Sequence, residues 1–545
     1  MDLQFKDRSF GRGLTHGIFA LLAGAIGGLA QAPTSWWGVL FVSLPLLVWL
    51  LDQAHRECAA GRRMRAFFAI GWWWGFGYLG SSLWWVGNAL LVDAEQFAWA
   101  LPLAMVGLPA GLALFYGLGT LAALYFWRAD TAADSHDLGG QAGAPFSRKR
   151  LIGLAVGFAL ADWVRGHILT GFPWNSLYQS LGGTDQMMQF ASIGGPWALG
   201  FLITLAALMP ATLFGRSLAS RPTIIAALVG LMITGGLFVY GTWRLNHATL
   251  QDSGVTVHIV QPNIAQRDKW NRALLPQHME TLLTLSAPPP EPRPTIVIWP
   301  EVAVPYDLTN EPGLRAEIGE TIGLGNLLIT GAFEFDRIPG AATDIYNGIS
   351  ILDGTGRIID TYRKHHLVPF GEYLPLKAVL SAIGLKKLTE GIGDLAAGHG
   401  PQTLALQTGD GRAIPAFGPQ ICYEAIFPHQ QTAANGPRPQ WLVNVTNDAW
   451  YGDTPGPRQH LVQARFRAIE QGLPLARAAN TGISALIDPY GRIIGQHSLN
   501  NQGVITEPLP TALSVTIYAR VGDSLFWLLL VLGGLSAAKW QRRAT

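Results

Sequence analysis

A glutamate, a lysine and a cysteine stand near strand ends in one stretch of this chain, and each type has a part in acyl transfer. Cys422 is one of only 2 cysteines in 545 residues. It lies in a block from about 252 to about 510 that apolar runs flank on both sides. The charge pattern described below sets that block outside the cytoplasm, where free thiols tend to be oxidised. No second cysteine lies in the block, so a disulfide within it is excluded and nucleophilic use becomes the leading reading. Pro419-Gln420-Ile421-Cys422-Tyr423-Glu424 reads as the end of a buried strand that presents Cys422 at a turn. Glu301 follows Ile298-Trp299-Pro300, and Lys364 lies in Tyr362-Arg363-Lys364-His365-His366. A thiol with a pKa of roughly 8.5 is mostly protonated at neutral pH and needs a base or a nearby cation. A carboxylate can take the proton. A lysine ammonium can hold the thiolate and then the oxyanion, aided by a backbone N–H after the nucleophile. Taken singly, Glu301 reads more readily as a solvated strand-end carboxylate than as a catalytic group, and Lys364 by itself is no stronger a sign.

The elements that carry these residues have a strand-rich pattern. Val255–Val260, Thr295–Trp299, Leu327–Thr330, Ile349–Leu352, Trp441–Val445 and Ser484–Ile487 are short runs rich in β-branched and apolar residues, bounded by turn residues. Asp353-Gly354-Thr355-Gly356 and Asp488-Pro489-Tyr490-Gly491 are turn signals. The stretch 459–471 has helical character. Strands with interleaved helices predict a layered α/β domain, and about 260 residues suffice to bury a core.

The flanks are of another kind. The chain is 49% hydrophobic and 14% charged, with 20 tryptophans; an ordinary soluble chain carries roughly 25% charged residues. Spanning helices need roughly 20 mostly apolar residues. Eight runs are expected to span, at 13–31, 36–51, 66–92, 97–127, 151–165, 189–214, 223–240 and 522–538. The run 151–165 contains Asp162 and ends at Arg165, so it fits least well. The first run is read as an uncleaved helix, because Gln31-Ala32-Pro33 is a poor signal-peptide cleavage site. Alternate loops hold three, four, four, two and three Lys or Arg residues, while the opposite loops 32–35, 93–96 and 166–188 hold none. By the positive-inside rule both termini are cytoplasmic and the large block lies outside. Trp36, Trp37, Trp84, Trp85 and Trp99 fall near span ends, as interfacial anchors do. Gly24/Gly28 and Gly71/Gly75 have a spacing that permits close helix packing. A net charge of +2 and the lack of a basic stripe argue against nucleic acid. No phosphate-binding glycine motif appears, so no nucleotide cofactor is implied. His365 and His366 lack a partner at metal-ligand spacing, so no metal is expected.

Ile-Trp-Pro-Glu ending at Glu301, Arg-Lys followed by Pro-Phe-Gly-Glu-Tyr around Lys364, and Cys-Tyr-Glu at Cys422 come in that order. Together they resemble the nitrilase, or carbon–nitrogen hydrolase, superfamily. The resemblance implies an αββα sandwich and a Glu301-Lys364-Cys422 triad. With eight spans around the block, the whole chain resembles the membrane branch of that superfamily, the apolipoprotein N-acyltransferases. Gln261–Gln266 leading to Lys269-Trp270, Asn444–Gly452 and Asn480–Ser484 match that branch too. The domains then read as transmembrane helices over 1–245, a nitrilase-like domain over 252–510, and a last helix with a cytoplasmic tail over 520–545.

The resemblance makes Glu372 a supporting carboxylate that orients Lys364; otherwise it is a surface turn residue. Tyr423 and Glu424 read either as substrate contacts or as ordinary packing and a surface charge. Trp270, Trp450 and Tyr451 read either as an acyl-chain pocket or lid, or as core aromatics. By resemblance, a phospholipid donates an acyl chain to Cys422, and the thioester passes it to the α-amine of a diacylglyceryl apolipoprotein, in the cytoplasmic (inner) membrane of a bacterial-type envelope. Ping-pong kinetics are expected, and a monomer. Two other readings stay open: a membrane-tethered amidase acting on a small amide, and a non-catalytic lipoprotein scaffold.

Overall fold

Alternation along the strands sorts side chains into an inner and an outer core. The computed structural model describes residues 3–128, 148–214, 220–290, 292–337, 343–382, 387, 393–428, 432–433 and 436–539. The chain forms two compact units: 1–87 with 100–247 and 517–545, and 88–99 with 248–516.

The second unit holds the strands β1 (Asp252–Gln261), β2 (Thr295–Ile298), β3 (Leu327–Asp336), β4 (Asp344–Asp353), β5 (Ile358–Arg363) and β6 (Leu404–Gln407). It continues with β7 (Ala413–Ile421), β8 (Trp441–Thr446), β9 (Leu475–Ala479), β10 (Ser484–Ile487), β11 (Ile493–His497) and β12 (Gly503–Pro510). They form two six-stranded sheets, ordered β12-β1-β2-β3-β4-β5 and β11-β10-β9-β8-β7-β6. In each sheet three neighbours run parallel, β1-β2-β3 and β9-β8-β7, and antiparallel strands complete both sides. Ile296 and Ile298 join Phe417, Val443 and Leu486 in a core shared by both sheets. Val297 and Trp299, one residue out of phase, face Met279, Leu282 and Ile318 on helices Leu275–Leu285 and Pro312–Ile322. Helix Pro455–Gln471 covers the second sheet through Leu461, Ala464 and Ala468. Helix, sheet, sheet and helix make the four layers. Each fully buried aliphatic chain contributes about 1.5–3 kcal/mol.

The strands run longer than their sequence signals, and β3 reaches Asp336. Strands β5, β6, β9, β11 and β12 carry no strong signal of their own. β9 reads Leu-Ala-Arg-Ala-Ala, a helix-prone string that becomes a strand because every residue is buried between neighbours. The helix expected at 459–471 starts earlier, at Pro455, where Thr454 Oγ1 accepts from Gly456 N at 3.2 Å.

In the first unit, helices occupy each place where an apolar run was expected. Among the described residues, four helices are long and apolar enough to cross a membrane: Trp37–Glu57, Ala94–Trp127, Ala191–Leu213 and Thr223–Asn246. Gly13–Gly28 and Ser524–Ala538 are shorter apolar helices. Asp162 of the weakest run is fully partnered: its carboxylate accepts from Arg165 (3.0 Å), Tyr116 (2.8 Å) and the Leu177 N–H (2.9 Å). Three details differ from expectation. The expected span 66–92 ends as a regular helix at Leu83, and the expected loop 93–96 is helical from Ala94 and packs with the second unit. Pro102, lacking an N–H, leads into a π-turn at Leu103–Gly107. Trp85 is buried against Trp174 rather than exposed like Trp36, Trp84 and Trp99. Arg216, Glu291, Arg542 and Arg543, and the tail expected beyond residue 539, lie outside the described residues.

Candidate active site

Ligand sites in α/β sheets gather at the carboxyl ends of parallel strands. Glu301 stands three residues beyond β2, and Cys422 directly follows β7. Lys364 directly follows β5. All three are buried, at 8%, 7% and 1% exposure. Lys364 Nζ lies 2.9 Å from Glu372 Oε1 and 3.6 Å from Glu301 Oε1. Asn347 on β4 bridges the two carboxylates: its Nδ2 donates to Glu301 Oε1 at 2.8 Å and to Glu372 Oε1 at 2.9 Å. The second Glu372 oxygen accepts the Val368 N–H at 2.8 Å. Glu372 is therefore a buried partner of the lysine and not a surface turn residue.

The charges set the resting protonation state. Burial pushes the Cys422 thiol well above its ordinary value; the Glu301 charge adds to this, and Lys364 opposes it. Burial alone would lower Lys364, but the Glu372 and Glu301 carboxylates beside it hold it well above the usual lysine value. Burial thus favours the neutral thiol, while the two carboxylates favour the charged lysine. A neutral thiol becomes a nucleophile only with a base to take its proton, and the Glu301 charge couples to this one.

The turn bearing the thiol is strained and braced. Cys422 has φ +48°, a left-handed conformation that costs on the order of 1–3 kcal/mol for a non-glycine residue. Its carbonyl accepts from His460 Nε2 at 3.2 Å. His460 Nδ1 lies 2.9 Å from Asp448, whose other oxygen takes the Arg477 guanidinium at 2.6 Å. Burial would raise the Asp448 carboxyl, but Arg477 and His460 hold it well below the usual carboxylate range. Glu424, a candidate substrate contact by sequence, is spent on the protein. Its oxygens accept from Ile421 N (2.7 Å), His365 N (2.8 Å) and Tyr362 Oη (2.9 Å), so it ties the end of β5 to the turn bearing Cys422.

The remaining candidates separate. Tyr423 is buried edge-on to Phe427. Trp270 is 45% exposed and stacked on Phe333, so it is not a core aromatic. Tyr451 couples electrostatically to Cys422, Asp448 and Glu301 and sits 6.4 Å from the His460 ring. Trp450 is half-buried, and its carbonyl accepts from Asn88 at 3.2 Å. His365 bonds Glu424, and His366 stacks on Phe427 at 3.9 Å. Sequence reasoning missed Asn347, Asp448, His460, Arg477, the contact made by Lys269, and Thr446, whose side chain hydrogen-bonds Cys422. Asp448 and Thr446 lie in the Asn444–Gly452 motif, which was a usable signal; Asn347 and His460 had none.

With this geometry in hand, similarity to known proteins is informative. The family described as carbon–nitrogen hydrolase matches residues 256–516. The apolipoprotein N-acyltransferase N-terminal domain matches residues 23–209. An apolipoprotein N-acyltransferase of Brucella melitensis is 42% identical over 92% of this chain and 90% of that protein. One of Rhodopseudomonas palustris is 40% identical over 94% of this chain and 92% of that protein. A solved amidase from Nesterenkonia is 17% identical, covers 50% of this chain and 94% of its own, and has a TM-score of 0.33. The extent of the match to these relatives, across both the apolar helices and the thiol-bearing domain, places the chain in the apolipoprotein N-acyltransferase family, with a carbon–nitrogen hydrolase domain as its strand-rich unit.

Proposed function

We propose that this chain is an inner-membrane enzyme that N-acylates lipoproteins, with Cys422 as its acyl carrier. The observation that carries the reading is the buried cluster in which Glu372 and Glu301 pair with Lys364, while Glu301 and Lys364 couple to the Cys422 thiol. Glu301 takes the thiol proton as sulfur attacks an ester carbonyl of a phospholipid. Lys364 steadies the oxyanion. The C–O bond breaks, Glu301 returns the proton to the departing alkoxide, and a lysophospholipid leaves. The α-amine of a diacylglyceryl apolipoprotein then attacks the thioester. The C–S bond breaks, the amine's proton passes through Glu301 to sulfur, and an amide and free Cys422 result. An α-amine pKa of roughly 7.7–8.0 leaves a useful neutral fraction near pH 7. Exposed Trp270 and half-buried Trp450 and Tyr451 are the aromatic groups assigned to acyl chains, Tyr423 being packed on Phe427, and excluding water favours transfer over hydrolysis.

Mass spectrometry after incubation with a defined phospholipid and no acceptor tests the reading. One acyl chain on Cys422, discharged by a diacylglyceryl-cysteine peptide, is the expected result. Glu301→Gln and Cys422→Ala should show no adduct while remaining in the membrane. Small-amide cleavage without an adduct would favour the tethered amidase, and full function of Cys422→Ala the scaffold. The lysine and arginine distribution supports eight crossings, cytoplasmic termini and an external catalytic domain. Labelling of a cysteine placed at exposed Asp410 by an impermeant maleimide in cells with a permeabilised outer membrane checks this; protection there would reverse the orientation.

A further inference from the structure

The loop between β1 and helix Leu275–Leu285 brings a second lysine to the site. Lys269 is 8% exposed. Its one side-chain hydrogen bond among the described residues runs from Nζ to the main-chain oxygen of Glu301, at 3.0 Å. An ammonium has three N–H groups, so two remain beside the small pocket lined by Trp270, His278, Glu301 and Val302. The peptide that Lys269 holds is strained. Val302 has φ +46°, a true outlier for a β-branched residue. From the sheet side Gly331 presses on the same turn: a side-chain carbon there would meet Val302 N, Glu301 Cα and Pro300 O. The general base therefore sits on a turn that sheet packing squeezes and Lys269 ties.

The charge of Lys269 also faces the reacting groups. Glu301 and Cys422 attract it, His278 repels it, and the Trp270 ring lies 6.0 Å away. Cys422 in turn faces Glu301, Lys364, Asp448 and Tyr451. We propose that Lys269 is a positioning residue for acyl transfer: it fixes the carbonyl of the base's own peptide, and its positive charge supports the Cys422 thiolate as it forms. The inference rests on the reading of Glu301 as base and Cys422 as nucleophile. Burial lowers Lys269 to about 8 against the opposing pull of Glu301 and Cys422, whereas the carboxylates keep Lys364 charged far higher. The charged form of Lys269 is the supporting one. Thioester formation should therefore decline as pH rises through about 8.

The test is single-turnover acylation of Cys422 from a phospholipid as a function of pH, read on the Cys422 peptide of the full chain. Lys269→Met should slow acylation roughly tenfold, because removing an opposite charge coupled to a thiol raises the thiol by about one pKa unit, and the decline at pH 8 should vanish. Lys269→Arg, which stays charged, should keep the neutral-pH rate and lose the decline. Lys269→Gln keeps a donor for Glu301 without the charge, so wild-type behaviour of that variant would overturn the proposal. A wild-type rate and decline in Lys269→Met would overturn it equally. Melting temperatures report folding; if Lys269→Met does not fold, persistence of the decline in Lys269→Arg decides against the proposal. Absence of any thioester in the wild type would instead defeat the nucleophile reading, and the inference with it.

Discussion

At the scale of the residue, the site separates two protonation duties by environment. Cys422 and Lys364 are both buried, yet one is driven neutral and the other held charged, because only the lysine has carboxylates at 2.9 and 3.6 Å. Glu372 is the nearer of the two. Glu372→Gln should slow Cys422 thioester formation on the order of tenfold to hundredfold, since the oxyanion donor is no longer aimed. The sign of the pH effect follows: losing a neighbouring anion lowers the Lys364 pKa, so in a Lys269→Arg background, which lacks the decline near pH 8, activity should fall at lower pH with Glu372→Gln than without it. A pH profile that declines at the same or a higher pH would show that Glu372 does not hold Lys364. The types and order of Glu301, Lys364 and Cys422 were legible in the sequence. The bridge made by Asn347 was not, because one asparagine in a strand is indistinguishable from any other until β4 sets it between two carboxylates.

At the scale of the element, strand ends and their braces do the positioning. Asp448 couples the loop after β8 to Arg477 on β9 and His460 on helix Pro455–Gln471, which holds the Cys422 carbonyl. Asp448→Asn leaves a buried guanidinium without its anion and should destabilise the domain by about 3–5 kcal/mol. Asp448 is depressed in the folded state, so its contribution is present above the unfolded carboxylate value of about 4 and is lost only as pH falls through the still lower folded value. The gap in melting temperature between wild type and variant should thus stay constant from about pH 5 to 8 and close only in acid; a gap that varies across that range would refute the assignment. Of these residues Asp448 stood in a recognisable motif, while His460 looked like one more polar position on a helix. Its importance comes from the turn that helix faces.

At the scale of the whole molecule, the apolar unit depends on close backbone approach. A side-chain carbon on Gly24 would meet Trp74 O and Tyr78 N, which are main-chain atoms that cannot move aside, whereas Gly13 has nothing within 4 Å. Gly24→Leu should sharply reduce the yield of folded protein in detergent, and Gly13→Leu should not; equal yields would show that helix Leu3–Gly28 does not pack as described. The glycine spacing was visible in the sequence, although 64 glycines made it a weak sign.

By itself, the sequence determined the division into apolar and strand-rich parts, most of the central strands, and the residue types that transfer acyl groups. These follow from local properties: hydropathy over some twenty residues, period-two alternation, and the few side chains able to act as base, cation and nucleophile. Tertiary structure alone decided that Glu424 is a brace, that Lys269 reaches Glu301, and that Asn347 and His460 belong to the site. Each of these is a contact between residues 32 to 59 positions apart or set by a strained turn. Such contacts depend on sheet register and on which groups burial deprives of water, and neither is written in any local stretch of chain.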